Sequence, residues 1–278
     1  MSKIEKALSR ARDGRSNLQV VPIAGASTAP PAGTAVVANS AAHPETIPRM
    51  AKSEVRLLGS GDLAQRGLIQ PQDSEDPAVQ VFRELRTRIV QQSHGQNAVI
   101  LVTSVTEGCG GSFIAQNLAA AFAFDMGKTA LLIDCNLKRP SVHRLLVNAS
   151  VPGLADYFEN PDLDIKKIIH PVGIARYRLI TAGARREILE EHFTSEKMKH
   201  LMDTLRRRYQ ERFIIMDGPP MSKIADIRIL SDLADYVLVV ARYGRSTNSQ
   251  IANCLNAIKD KKLLGMVFNE EPRIPRIR

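Results

Sequence analysis

The sequence predicts an α/β fold with a mostly parallel, doubly wound sheet and helices on both faces. From residue 76 onward, short apolar runs of strand length alternate with longer segments of helical periodicity. A glycine-rich turn, residues 104–112, joins the first apolar run to the helix that follows it. Strands separated by helices are joined by right-handed crossovers, so neighbouring strands run parallel and helices cover both faces of the sheet.

The predicted elements begin with a helix at Pro77–Gln92, where Val81, Leu85 and Ile89 share one face. The following strands are predicted at Ala98–Thr103, Thr129–Asp134, Arg178–Thr181, Phe213–Asp217, Tyr236–Ala241 and Gly265–Asn269. Further helices are predicted at Ser112–Phe124, Ser195–Arg208 and Asn248–Lys259. Most of the strand runs are apolar throughout rather than alternating, which is typical of strands that are buried on both faces.

The first 75 residues have a different composition. Residues 1–18 are predicted to form a basic amphipathic helix, with Ile4 and Leu8 on one face among Lys and Arg. Residues 19–52 are predicted to be a flexible linker, because they are rich in Ala, Pro, Gly, Ser and Thr and their apolar residues follow neither helical nor strand periodicity. Residues 53–75 are predicted to be an ordered arm, residues 76–270 the α/β domain and residues 271–278 a basic tail.

The composition excludes several classes of protein. Three cysteines without a CxxC pair argue against a disulfide-stapled module and a structural zinc site. The apolar runs are shorter than the ~20 residues that cross a bilayer, and no signal-peptide pattern is found, so the expected location is the cytoplasm. A net charge of +9 favours an acidic partner, such as nucleic acid, anionic lipid or an acidic protein surface, but a solvated basic surface explains it equally well.

The glycine-rich turn has most features of a phosphate-binding loop. Gly108 and Gly110 allow the positive φ angles of a loop that points backbone N–H groups at a phosphate, and Ser112 offers a hydroxyl to Mg²⁺. The Walker A pattern requires Lys immediately before that hydroxyl residue, and Gly111 stands there instead. On this loop alone, a glycine-rich turn without a ligand is the favoured interpretation.

Two acidic residues change that balance. Asp134 ends the strand Thr129–Asp134, and Asp217 ends the strand Phe213–Asp217. Carboxylates at the carboxyl ends of strands beside a phosphate-binding loop are where a nucleotide-bound Mg²⁺ is held. An isolated Asp at a strand end is more often a turn residue. A nucleotide site is therefore favoured only by the combination of both aspartates with the glycine-rich turn.

These stretches resemble the bacterial tyrosine kinases of capsule and exopolysaccharide biosynthesis, which are MinD-like P-loop proteins. The resemblance covers Val79–Asn269 and is carried by TSVTEGCGGS (Thr103–Ser112), LLIDCNLKRP (Leu131–Pro140) and IIMDGPP (Ile214–Pro220). Residues 1–12 and 62–70 further resemble the subgroup associated with exosortase-linked exopolysaccharide systems.

The resemblance implies a site that binds ATP and Mg²⁺. It implies that Asp134 and Asp217 are catalytic and that Ser112, Asp134 and Asp217 bind the metal. The residues that it implies for nucleotide binding are Gly108, Gly110, Gly111, Ser112 and Asn269. Asn269 stands where the class commonly contacts the base, but a strand-end turn is an equally good interpretation.

Three departures from the family pattern concern catalysis. Gly111 replaces the Walker A Lys, Asn136 replaces a second Asp, and the family's C-terminal tyrosine cluster is not found after Asn269. Loss of a charge-assisted hydrogen bond to phosphate weakens binding by roughly tenfold to a hundredfold, so nucleotide binding is expected to be weak or absent. Lys138, Arg139 and Lys223 are candidates to supply the charge.

The family's ExxRxxR motif, used for ring-like self-association, is represented here by Gln80, Arg83 and Arg86. Arginines three residues apart share a helix face and are able to pair with carboxylates of a neighbouring subunit. The alternative is a solvated basic helix. Because Gln80 replaces the acidic residue, a homo-oligomer is expected to be weaker or to need a different subunit.

The leading hypothesis is therefore a catalytically impaired, tyrosine-kinase-like regulator of exopolysaccharide biosynthesis or export. The resemblance implies that it docks on the cytoplasmic segment of a membrane polysaccharide copolymerase that determines chain length, and on an active kinase homologue, at the inner face of the plasma membrane, without nucleic acid. An active protein-tyrosine autokinase or slow ATPase is the second hypothesis. A MinD- or ParA-type positioning ATPase is the third, disfavoured because residues 104–111 lack the additional Lys of that class.

Overall fold

The computed structural model describes residues 18–21, 56–73, 75–184, 190–208, 211–221, 224–259 and 262–270. The strands are β1 (Leu18–Val21), β2 (Val99–Ser104), β3 (Thr129–Asp134), β4 (His170–Pro171), β5 (Tyr177–Ile180), β6 (Arg212–Asp217), β7 (Tyr236–Arg242) and β8 (Leu263–Asn269). The α-helices are α1 (Ser60–Gln65), α2 (Pro77–Gln92), α3 (Gly111–Ala123), α4 (Leu154–Glu159), α5 (Glu196–Arg208), α6 (Ile224–Leu233) and α7 (Asn248–Ala257).

The strands form one sheet in the order β1-β8-β7-β2-β6-β3-β5-β4. Six of them, from β8 to β5 in that order, run parallel, while β1 and β4 are antiparallel at the two edges. The predicted mostly parallel, doubly wound α/β fold is confirmed. The carboxyl ends of β2, β3, β6 and β7 consequently meet at one edge, where the glycine-rich turn begins.

Both faces of the sheet are buried, as the apolar strand runs predict. Helices α2 and α3 pack on one face, where Phe122 of α3 stacks on Phe213 of β6 with ring centroids 4.1 Å apart. Helices α5 and α7 pack on the other face, with Met198 and Ile251 in its core. Alternate residues of each strand pack into the two cores. In β2, Ile100 packs on the side of α2 and α3, and Leu101 packs on the side of α5 and α7.

The start of α3 is set by local sequence. Gly110 has the left-handed φ of 90° and precedes the helix, and the Ala-rich run from Ala119 to Ala121 lets the helix lie close on the sheet. Eleven of its thirteen residues are buried. A helix buried almost all round is a rigid base for the turn that leads into it.

The N-terminal predictions have mixed outcomes. The predicted basic helix lies outside the described residues except for Leu18, which begins β1; that strand, antiparallel to β8, is absent from the sequence-based prediction. Most of the predicted linker (residues 22–52) and the tail (271–278) lie outside the described residues. Within the predicted arm the structure has α1, whose Leu63 is fully buried. No helix among the described residues has the length and apolarity needed to span a membrane.

Candidate functional site

The candidate site is the glycine-rich turn between β2 and α3. Gly108 and Gly110 have φ angles of 77° and 90°, in the left-handed region that favours glycine. A Cβ at Gly110 would lie 2.2 Å from Nδ2 of Asn269, so a side chain there would displace the Asn269 side chain. Two of the three glycines predicted to bind nucleotide therefore have the left-handed backbone conformation that a phosphate-binding loop uses.

Gly111 differs from these two glycines. It is the first residue of α3, and a Cβ built on it would meet only Ser104, at 3.4 Å from Cβ and 3.5 Å from Oγ, which is ordinary contact. Neither the space nor the backbone demands glycine at this position. The missing Lys is therefore a change of side chain on an intact backbone, and the loop retains the frame of a Walker A motif.

Asp134 and Asp217 lie side by side beneath this loop. Strands β3 and β6 are parallel neighbours, and the two aspartates are paired in register at their carboxyl ends. Asp134 is fully buried and accepts hydrogen bonds from the backbone N–H groups of Asn136, Ser141 and Val142 at 3.1–3.4 Å. Asp217 is 1% exposed, and neither of its carboxylate oxygens has a hydrogen-bond partner among the described residues.

Burial disfavours the ionised form of both carboxylates. It raises the pKa of Asp134 to about 7, against the opposing effect of its three backbone hydrogen bonds. Burial also raises the pKa of Asp217 well above its ordinary value, the neighbouring charge of Asp134 raises it further, and the nearby Ser112 hydroxyl and Arg144 guanidinium lower it. A cation placed between these groups would relieve the repulsion and favour ionisation of both.

The arrangement fits a nucleotide-bound Mg²⁺. Ser112 supplies a half-buried hydroxyl at the second position of α3, and Asp217 supplies buried oxygens without a partner. The described residues contain no group of three His, Cys, Asp or Glu side chains that would hold a metal ion without help. Magnesium commonly takes one or two carboxylates and completes its shell with phosphate oxygens and water, so the donor set suits a metal that arrives with a nucleotide.

Asn136 and the basic residues after it form the rim of the site. The backbone N–H of Asn136 donates to Asp134 Oδ1, and its half-buried side chain is an amide where the family has a carboxylate. Lys138 and Arg139 are both exposed, and Arg139 Nη1 forms an ion pair with Glu107 Oε2 at 2.6 Å. This pair links the loop after β3 to the glycine-rich turn. Lys223 lies outside the described residues.

Asn269 holds the turn from the opposite side. Its Nδ2 donates to the carbonyl oxygen of Cys109 at 3.0 Å, and its side chain is buried. Arg242, which the sequence analysis does not identify, donates to the carbonyl oxygen of Gly108 at 3.2 Å and forms an ion pair with Glu270. Sequence reasoning misses Arg242 because no motif marks it: its role arises only because β7 ends beside the turn.

The proposed oligomerisation residues lie on α2. Arg86 donates to the carbonyl oxygen of Ala121 at 3.2 Å, so one arginine of the motif has a partner within its own subunit. Arg83 is half-buried and Gln80 is exposed.

A glycine-rich turn between a parallel strand and a buried helix, with two aspartates at neighbouring strand ends, defines a P-loop domain of the nucleotide-binding class. Comparison with known proteins identifies the family within this class. The chain is 32% identical over 230 residues to EpsB of Ralstonia solanacearum, and the aligned region covers 81% of this chain and 30% of that protein. It is 29% identical over 208 residues to the tyrosine-protein kinase Wzc of Salmonella typhimurium, and the aligned region covers 74% of this chain and 28% of that protein.

Solved structures agree with these relatives. The chimerical protein CapA2B2 superposes with a TM-score of 0.68 and 27% identity, covering 74% of this chain and 91% of that chain. The chain belongs to the family of bacterial tyrosine kinases of exopolysaccharide biosynthesis, of the Wzc, EpsB and Etk type. It spans about a third of the length of the curated relatives that it matches. No protein-family model matches it.

Proposed function

We propose that this chain is a catalytically impaired member of its family, a pseudokinase that binds nucleotide and regulates a membrane polysaccharide copolymerase. The observation that carries the proposal is Gly111: the backbone accepts a side chain at this position, yet the Lys that spans the terminal phosphates during transfer is missing. Phosphoryl transfer depends on such positioned cations, because negative charge shifts between the β- and γ-phosphates in the transition state.

The second support is Asn136. A carboxylate at this position would add a negative charge to the site and a group able to accept a proton from a hydroxyl substrate. The amide keeps the oxygen but is neither negatively charged nor basic. The two changes therefore reduce transfer together, whereas Ser112 and Asp217, the residues proposed to hold the metal, are retained.

Nucleotide binding is expected to survive these changes. The glycine backbone of the loop, the acidic pair and the dipole of the thirteen-residue helix α3 are all in place, and they supply most contacts to the phosphates and the metal. A site that binds nucleotide without transferring its phosphoryl group is suited to a switch, in which the bound nucleotide changes how the protein binds a partner. The proposed partners are the cytoplasmic segment of the copolymerase and an active kinase of the same system, at the inner face of the plasma membrane.

The test is calorimetric titration of the purified chain with Mg·ATP and with Mg·ADP, together with phosphate release and autophosphorylation followed over hours. We expect weak but saturable binding of Mg·ATP, with neither phosphate release nor phosphotyrosine. The matched control is Asp217→Asn, which removes the unpartnered carboxylate and is expected to abolish the dependence of binding on Mg²⁺. Sustained turnover by the unmodified chain would refute the pseudokinase proposal and favour an active autokinase or ATPase.

A further inference from the structure

Two side chains at the ends of β7 and β8 hold successive carbonyl groups of the glycine-rich turn. Nη1 of Arg242 donates to the carbonyl oxygen of Gly108 at 3.2 Å. Nδ2 of Asn269 donates to the carbonyl oxygen of Cys109 at 3.0 Å. The two contacts therefore fix two consecutive peptide units of the turn, one on each side of Cys109.

The direction of each carbonyl group sets the direction of the N–H group in the same peptide unit. In a trans peptide the C=O and N–H bonds point in opposite directions, and the described residues contain no cis peptide bond. Carbonyl groups drawn toward β7 and β8 therefore turn the N–H groups of Cys109 and Gly110 away from those strands. Within the described part of the chain, neither of these N–H groups donates to an acceptor.

These N–H groups turn toward the side of the sheet that carries the acidic pair. In the strand order, β7 and β8 lie on one side of β2, and β6 and β3 lie on the other. The turn follows β2, while Asp217 ends β6 and Asp134 ends β3. Two successive N–H groups that precede the N-terminus of α3 and face the acidic pair are suited to bind the phosphates of a nucleotide.

Glu270, the residue after β8, connects the two contacts. Its carboxylate forms an ion pair with the half-buried guanidinium of Arg242. Its backbone N–H donates to Oδ1 of Asn269 at 3.0 Å, which leaves the amide nitrogen of Asn269 to face the turn. One residue therefore fixes both side chains that hold the turn.

The backbone of Glu270 has a conformation that residues other than glycine seldom adopt. Its φ is 60°, in the left-handed region, where a Cβ crowds the neighbouring backbone. Such conformations persist where the surroundings enforce them, and they are concentrated at functional sites. In this conformation the N–H group contacts Asn269 and the carboxylate contacts Arg242. The contacts of the glutamate thus coincide with a backbone that glycine would adopt at lower cost.

We propose that Glu270 is a positioning residue of the phosphate-binding loop. Through Arg242 and Asn269 it directs the N–H groups of Cys109 and Gly110 at the phosphates. The inference rests on the proposed function, because it assumes that Mg·ATP binds at the glycine-rich turn. The backbone N–H groups of a P-loop hold the α- and β-phosphates, which ATP and ADP share, so the positioning acts on both nucleotides alike.

The test measures Mg·ATP and Mg·ADP affinities by calorimetry for the unmodified full chain, Glu270→Gly, Arg242→Gln and Arg245→Gln. Arg245 is the matched control, because it is an exposed arginine three residues after Arg242. We expect Glu270→Gly and Arg242→Gln each to weaken both nucleotides by about tenfold, and Arg245→Gln to leave both affinities unchanged. The sign for Glu270→Gly is decisive, since removing a negative charge would by itself strengthen the binding of an anion.

Two further readouts separate positioning from a purely structural role. In urea unfolding, Glu270→Gly should not lower the free energy of unfolding, because glycine relieves the left-handed backbone and the lost ion pair involves an exposed carboxylate. In the nucleotide-free protein, the amide NMR signals of Cys109 and Gly110 should shift in Glu270→Gly and in Arg242→Gln. They should not shift in Arg245→Gln.

The outcomes distinguish this inference from the proposed function. Unchanged or stronger binding by Glu270→Gly would overturn the role of Glu270 and leave nucleotide binding standing. A loss confined to Mg·ATP would also overturn it, as would a loss of affinity that only accompanies a loss of stability. Equal losses in Arg242→Gln and Arg245→Gln would overturn the part assigned to Arg242, because they would reflect net charge alone. Absence of Mg·ATP binding to the unmodified chain would overturn both the inference and the proposed function.

Discussion

Asn269, the last residue of β8, is hydrogen-bonded through Nδ2 to the carbonyl oxygen of Cys109, at a distance of 3.0 Å. The two residues are separated by 160 positions in the chain. Their contact joins the last strand of the sheet to the glycine-rich turn. It also fills the space beside Gly110 that a side chain at that position would need. The conformation of the turn is therefore supported by a neighbouring strand as well as by its own glycines.

The first prediction concerns this contact. Asn269→Ala removes the donor and leaves the buried carbonyl oxygen of Cys109 without a partner, which should lower the free energy of unfolding by about 1–3 kcal/mol. Affinity for Mg·ATP should fall as well, because the turn loses a support. Urea unfolding and calorimetry would measure the two effects. Asn148→Ala, at an exposed surface position, is the control; equal effects of both variants would contradict the prediction.

The second prediction concerns the missing catalytic groups. Gly111→Lys should increase Mg·ATP affinity by about tenfold to a hundredfold, because the backbone accepts a Cβ at this position and the new charge-assisted hydrogen bond acts on phosphate. Adding Asn136→Asp should bring measurable phosphate release. Gly111→Ala is the matched control, since it occupies the same Cβ position without a charge. If the double variant neither binds more tightly nor releases phosphate, the site lacks more than these two groups.

The third prediction concerns the acidic pair and pH. Asp134 and Asp217 have pKa values raised in the folded protein above the unfolded value of 3.8, to about 7 for Asp134. Their contribution to stability is therefore present below about pH 4 and is lost as pH rises toward and through the folded pKa values. Asp217→Asn should be more stable than the unmodified chain by about 1–3 kcal/mol at pH 8, because it removes an unpaired buried charge.

The stabilisation by Asp217→Asn should shrink toward zero as the pH is lowered to 4. Thermal unfolding of both chains between pH 4 and 8, in the absence of divalent ions, measures it. A difference that does not change with pH would show that the carboxylate of Asp217 does not titrate in this range. Addition of Mg²⁺ with nucleotide at pH 8 should stabilise the unmodified chain more than the variant, because a cation pairs with the carboxylate.

The fourth prediction separates the two arginines of α2. Arg86→Gln should lower the free energy of unfolding by about 1 kcal/mol, since Arg86 donates to the carbonyl oxygen of Ala121 within its own subunit. Arg83→Gln should leave stability unchanged and, if the chain self-associates, should weaken the oligomer. Urea unfolding and analytical ultracentrifugation distinguish these effects. Dissociation by Arg86→Gln with unchanged stability would reverse the assignment.

Much of the fold and part of the site follow from local sequence. Apolar runs such as Thr129–Asp134 specify strands buried on both faces, and the glycines at positions 108 and 110 specify a turn with left-handed backbone. An Asp at the end of each of two such strands specifies polar groups at one edge of the sheet. These features depend on residues a few positions apart, so the pattern of side chains along the chain is sufficient to predict them.

Other features were decided by the tertiary structure alone. The register that places Asp134 beside Asp217, the contact of Asn269 with Cys109 and the addition of β1 at the sheet edge all join residues far apart in sequence. No local pattern encodes them, because strand order and register are set by the packing of both faces of the whole sheet at once. The sequence by itself determined which residues form the loop and the acidic strand ends; the assembled sheet decided which side chains meet there.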